Sequence, residues 1–242
     1  MNNYFSKDFI GEGFVFLGTH HLIALSILFA AYIGVFFWHP NEQMKQRFRY
    51  ALAALLLFNE ATWHAWNYFN GIWTFKTMLP LHLCSVLVFL SAVMLITKSK
   101  SIYELVYFWG IGGALQAILT PDLGIYGFPH IRFFQVFISH GGIILAALYM
   151  TAVEHYRPTW KSFWRALGIL AIYATGVWFV NGWLGSNYLY IARKPDTPSL
   201  IDLLAPHPWY IIEIAAIAFS TFLILYLPFA IKDWRAQGQT AH

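Results

Sequence analysis

Residues 133–153 read FFQVFISHGGIILAALYMTAV, an apolar run broken only near its start by Gln135, Ser139 and His140. About 20 such residues cross a hydrocarbon core as a helix, whereas a transmembrane strand needs only about 10 and alternates apolar with polar. The run therefore predicts a membrane helix. Six further stretches read the same way: Thr19 to Trp38, Arg49 to Phe69, Leu79 to Thr97, Ile102 to Leu119, Phe163 to Trp183, and Trp209 to Ile231. Turn and breaker clusters separate them, among them His39-Pro40-Asn41, Lys98-Ser99-Lys100, Thr120-Pro121-Asp122 and the proline-rich stretch from Lys194 to Pro208. The expected fold is all-α: a polytopic membrane protein, a seven-transmembrane-helix bundle forming one domain over 1–242.

Composition agrees. The 242 residues are 59% hydrophobic and 11% charged, against roughly 25% charged in a soluble domain. The same figures exclude a disordered chain, and the 15 Lys and Arg are scattered rather than gathered into the patch that nucleic acid requires. A single cysteine, Cys84, forbids an internal disulfide or a multi-cysteine metal site. No basic stretch precedes the first span and no small-residue cleavage pattern follows it, so that span reads as a retained helix. Ten basic residues fall on one side of the spans: Lys45, Arg47, Arg49, Lys98, Lys100, Arg157, Lys161, Arg165, Lys232 and Arg235. The other side has five, Lys7, Lys76, Arg132, Arg193 and Lys194. That asymmetry places the N-terminus outside and the C-terminus in the cytoplasm.

Polar side chains inside spans are costly, so each needs a reason. Glu60, His64 and Asn67 recur at i, i+4 and i+7 on one face of the second span, with Asn59 just off the stripe. The third span opens on Leu79-Pro80-Leu81-His82-Leu83-Cys84, the fourth carries Gln116, the fifth Gln135, Ser139 and His140, the sixth Asn181, and the seventh Glu213. With alternate spans running in opposite directions, all of these fall in the outer half of the membrane. Any one of them reads equally as an interhelical hydrogen bond; together they predict a cavity open to the outer leaflet.

Pro80, favoured at a first helical position, places Cys84 in the second turn of its helix, near the positive dipole end. A buried thiol is otherwise an inert hydrophobe, so activation needs a base. His140 is the candidate, and Gly141 and Gly142 beside it let a neighbouring helix approach closely. His82 lies about 200° around the helix from Cys84, a poorer place for a base. Glu60 is placed either to orient a histidine, as a triad's third member does, or simply to pair with His64. His20 and His21 read as interfacial.

The segment Leu79-Pro80-Leu81-His82-Leu83-Cys84-Ser85, the Asn59-Glu60 and Trp63-His64 stretch, and Ser139-His140-Gly141 resemble the YwaF-like family of bacterial integral membrane proteins. That family is similar to eukaryotic transmembrane acyltransferases that move fatty acyl chains between phospholipids with a cysteine and a histidine. The resemblance implies that Cys84 and His140 are the corresponding residues.

The leading expectation is a cysteine-dependent lipid acyltransferase or acyl-lipid hydrolase in a cell membrane, the plasma membrane of a bacterium. Its substrate is a membrane lipid, a phospholipid or lysophospholipid, and it needs no cofactor. Cys84 is the nucleophile and His140 the acid and base, while Glu60, His64, Asn67, His82, Gln116, Ser139 and Asn181 orient groups or bind substrate. One alternative is a zinc-dependent hydrolase with ligands among His64, His82, His140 and Glu60, although no pair has the H-E-x-x-H spacing. Another is a proton-coupled transporter or a receptor using the same groups. A retinal protein is disfavoured because no lysine lies inside a span.

Overall fold

The structure is a computed structural model that describes residues 3–196 and 199–239, without the side chains of 236–239. Its regular structure is helical, with no strand among the described residues. The helices are α1 (Thr19–Phe37), α2 (Glu42–Phe69), α3 (Leu83–Thr97), α4 (Lys100–Leu105), α5 (Ile111–Leu119), α6 (Ile131–Ala152), α7 (Trp160–Leu184) and α8 (Tyr210–Gln239). A buried π-helical turn, Val106–Gly110, joins α4 to α5 so that the two run as one span.

Local chemistry sets the ends. Asn41 accepts a hydrogen bond from Met44 N at 2.9 Å, which starts α2 well before Arg49 and turns most of the expected 39–48 loop into helix. Thr159 and Ser162 form a reciprocal capping box on α7, and Gly185, at φ +64°, closes that helix in the left-handed region. The third helix departs from expectation. It begins at Leu83, not at Pro80, because the preceding backbone is held by distant side chains: Tyr188 Oη accepts from Leu79 N at 2.8 Å and Tyr173 Oη donates to Leu81 O at 2.8 Å. Residues 79–82 remain a turn, and Cys84 lies in the first helical turn rather than the second.

Among the described residues, five helical stretches are long and apolar enough to cross a membrane: Thr19–Phe36, Lys100–Leu119, Ile131–Ala152, Trp160–Leu184 and Tyr210–Arg235. Of the other two, α3 has 15 residues, and α2 has 28 but carries Glu42, Lys45, Arg47 and Arg49 in its first turns. The central helix is α6, which packs against α1, α2, α3, α5 and the π turn. Its glycines permit this: a Cβ on Gly141 would lie 2.4 Å from Leu28 Cδ2, and one on Gly142 2.8 Å from Leu56 Cδ2. Peripheral helices α7 and α8 turn Ile172, Trp178, Phe179, Ile212, Ile224 and Leu227 outward. So extensive an apolar exterior is a lipid-facing surface.

The two ends of the bundle differ. At one, Arg49 is buried; its Nη1 donates to Leu95 O at 2.9 Å and its Nε lies 3.4 Å from Glu154, whose other oxygen takes Lys98 at 2.7 Å. At the other, the segment before α1 lies along the 124–131 connection through Phe14 N to Gly124 O and Ile131 N to Tyr4 O.

Candidate functional site

At this second end a cavity of about 730 Å³ opens between the C-terminal half of α2, the turn into α3, the end of α5, the start of α6 and the connection after α7. Two hollows of about 550 and 270 Å³ under the N-terminal segment contain no cysteine. Of the residues expected to form a site, Glu60, His64, His82, Cys84, Ser139 and His140 line the large cavity, together with Gln135. Side chains from α2, α3 and α6 thus converge because α6 packs on both other helices and all three bring their polar ends to one level.

The hydrogen-bond partners assign the histidine tautomers. His140 Nδ1 lies 2.8 Å from Val136 O. A carbonyl oxygen only accepts, so Nδ1 carries the proton and Nε2 keeps its lone pair. His64 is the reverse: Trp73 Nε1 donates to its Nδ1 at 3.1 Å, so the proton is on Nε2, 3.6 Å from Glu60 Oε1. Of the two roles open to Glu60, the structure therefore brings it to His64 and gives His140 a backbone partner instead. Cys84 is free and half-buried. Its helix has no side-chain cap at His82, which leaves the first-turn amides without a capping acceptor. Among the described residues no hydrogen bond joins Cys84 to His140; the two share the cavity wall without direct contact of that kind.

Three expected site residues lie elsewhere. Asn67 donates to Trp63 O at 2.8 Å within α2, and its own carbonyl accepts from Ile72 N, so it closes the helix end. Gln116 is exposed, and its carbonyl accepts from Thr120. Asn181 is buried and holds the turn after α7 by bonds to Ser186 and Tyr188. Asn59 bridges α2 to α6 through Gln135 O, and Glu213 accepts from Ala205 N. His21, at the start of α1, is buried, with Nε2 donating to Ile118 O at 2.9 Å; His20 is exposed and stacks on Phe128. As for zinc, no group of three or more His, Cys, Asp or Glu side chains among the described residues is arranged to hold a metal ion.

The cavity also contains residues outside the expected set: Lys76, Asp122, Arg132, Tyr190, Arg193 and Asp196. Arg132 lies over the Trp63 ring at 3.7 Å and donates to Gln135 Oε1. Burial, then the charges of Asp122, Cys84 and Asp196, push the Tyr190 phenol above its ordinary value. For Lys76, Arg132 and Arg193 the sequence signal was their positive charge, which reads as a sign of topology; Asp122, Tyr190 and Asp196 carried no such signal.

The TMEM164 family profile matches residues 16–226. The chain belongs to the TMEM164 family. That stretch includes every residue lining the cavity. A protein of Treponema pallidum (strain Nichols) described as uncharacterized is 25% identical over 158 residues, and the match spans 64% of each chain. No solved structure matches. Family membership and the apolar helices together make this a multi-pass membrane protein.

Proposed function

We propose that this TMEM164-family chain is a membrane-embedded, cysteine-dependent lipid acyltransferase or acyl-lipid hydrolase. The observation that carries the reading is the shared cavity of Cys84 and His140, with Nδ1 of His140 spent on Val136 and Nε2 left as the basic nitrogen. In the first half of the reaction, Sγ bonds to the ester carbonyl carbon of a phospholipid or lysophospholipid. Its proton passes to His140 Nε2 and on to the departing alkoxide oxygen. The uncapped amides at the start of α3 are donors for the oxyanion, a contribution of the kind worth about 3 kcal/mol per donor. Hydrogen bonds between catalytic groups are often long in the free enzyme and tighten with substrate, which accommodates the separation of thiol and imidazole. The resemblance of its motifs to the YwaF-like family, itself similar to acyltransferases with a cysteine and a histidine, supports the same reaction class.

The reading includes seven membrane spans, with α2 and α3 completing the set, an outward N-terminus and a cytoplasmic C-terminus. The cavity then opens toward the outer leaflet of the plasma membrane of a bacterium, where an acyl chain enters between helices. Labelling of membranes with a lipid-like thiol-reactive probe tests the nucleophile. The parent protein is expected to label and Cys84→Ser to lose the signal; equal labelling of both overturns the assignment.

A further inference from the structure

Glu60 is the cavity's unsatisfied group. Its side chain is 5% exposed, it lines the wall with Cys84 and His140, and its Oε1 has no hydrogen-bond partner. His64 Nε2–H stands 3.6 Å from it, beyond hydrogen-bond length, with Trp73 holding that ring from its far side, and the Ser85 hydroxyl is a second donor beside the same carboxyl group. Arg132 is engaged with Trp63 and Gln135 and makes no ion pair with Glu60 within 4 Å among the described residues. A buried carboxylate oxygen without a donor is strongly unfavourable, so the site is built for a donor brought in by whatever fills the cavity.

We propose that Glu60 Oε1 binds the hydroxyl of the acyl acceptor and takes its proton in the second half of the transfer. This inference rests on the reading of Cys84 as the acylated nucleophile. The acceptor oxygen bonds to the thioester carbonyl carbon and the C–S bond breaks. The hydroxyl proton goes to Glu60 and from there to the departing sulfur, which restores the thiol. His140 acts in acylation and Glu60 in deacylation, from α6 and α2 respectively. His64 holds its N–H toward Glu60 without satisfying it, which leaves the oxygen open to the acceptor.

The test uses the full chain in phosphatidylcholine vesicles whose acyl chains end in an alkyne. Acyl-cysteine is read as hydroxylamine-sensitive label on Cys84, then chased with lysophosphatidylcholine or with buffer alone. Glu60→Gln is expected to load as the parent does and to discharge about 100-fold more slowly, the lower range for loss of a general base. Glu60→Asp, which keeps the carboxylate, is expected to recover part of that rate. Discharge that needs lysophosphatidylcholine assigns Oε1 to an alcohol; discharge in buffer alone, releasing free fatty acid, assigns it to water. Discharge of Glu60→Gln at the parent rate overturns the inference and leaves the cysteine reading standing. Failure of both variants to load overturns it as well, since Glu60 then belongs to folding or to the first half. A parent protein that never labels at Cys84 overturns the function and this inference together.

Discussion

His130 shows how one residue ties the N-terminal segment to the bundle. Its Nε2 lies 3.0 Å from Ser6 O and its Nδ1 accepts from Arg132 N at 3.1 Å, so the ring bridges a loop carbonyl and the first turn of α6 as a neutral imidazole. Protonation would set an N–H against the Arg132 N–H. Burial accordingly holds His130 below its ordinary value, with the Arg132 charge acting in the same direction and the Ser6 bond opposing. Because the folded value is depressed, the unfolded chain binds the proton more readily. The contribution is complete above about pH 6.5 and is lost as pH falls from there through the folded value. The protection factor of amides in residues 3–16, with exchange corrected for its intrinsic pH dependence, is therefore expected to fall between pH 7 and pH 5, while His130→Gln, with no proton to gain, shows a flat profile. A flat profile in the parent would contradict this account.

Among the elements, the turn before α3 controls where the thiol sits. Tyr188 is fully buried and its hydroxyl serves two backbone groups, accepting from Leu79 N at 2.8 Å and donating to Phe75 O at 2.7 Å. Asn181 in turn fixes Tyr188 from the end of α7. The start of α3 thus depends on a side chain more than a hundred residues away. Tyr188→Phe removes both bonds and leaves two partly buried backbone groups unpaired, a loss of about 2 kcal/mol. The expected outcome is a lower thermal midpoint together with faster reaction of Cys84 with a soluble maleimide, measured in the same detergent-solubilised sample. An unchanged labelling rate would mean that the turn is held by other contacts. The π turn is a second element-scale feature. A Cβ on Gly110 would lie 2.8 Å from Ile143 Cγ2, so close packing of the fourth span on α6 depends on the missing side chain.

For the molecule as a whole, the two ends carry different electrostatics. The end with Arg49, Glu154 and Lys98 also has the Arg157–Asp233 pair at 2.6 Å and the pairing of Arg165 with Glu104. The cavity end has fewer basic residues, and three of them, Lys76, Arg132 and Arg193, line the cavity itself. Basic residues concentrate on the cytoplasmic side of membrane proteins. In a Cys84→Ser background, Asp8→Cys is therefore expected to react with an impermeant maleimide on intact cells, and Lys161→Cys only after permeabilisation. The opposite pattern would invert the orientation and turn the cavity toward the cytoplasm.

Helical class and the approximate positions of the helices were legible because they follow from a local property: an unbroken apolar run must satisfy its backbone internally wherever lipid surrounds it. The clustering of Glu60, His64, Cys84, Ser139 and His140 was legible too, since alternating helix direction places them at one depth whatever the packing. Rotation about each helix axis was not. Whether a polar side chain at that depth faces the cavity or closes a helix end depends on which neighbour meets that face. Asn67, Gln116 and Asn181 thus fell outside the cavity, while Arg132 came into it from the first turn of α6 and Tyr190 and Asp196 from a connection with no periodicity to read. The boundary of α3 and the tautomer of His64 belong to the same class. The boundary of α3 is decided by hydrogen bonds with Tyr188 and Tyr173 and the His64 tautomer by Trp73, from segments brought in by the tertiary fold, whereas the His140 tautomer follows from Val136 O one turn back on its own helix.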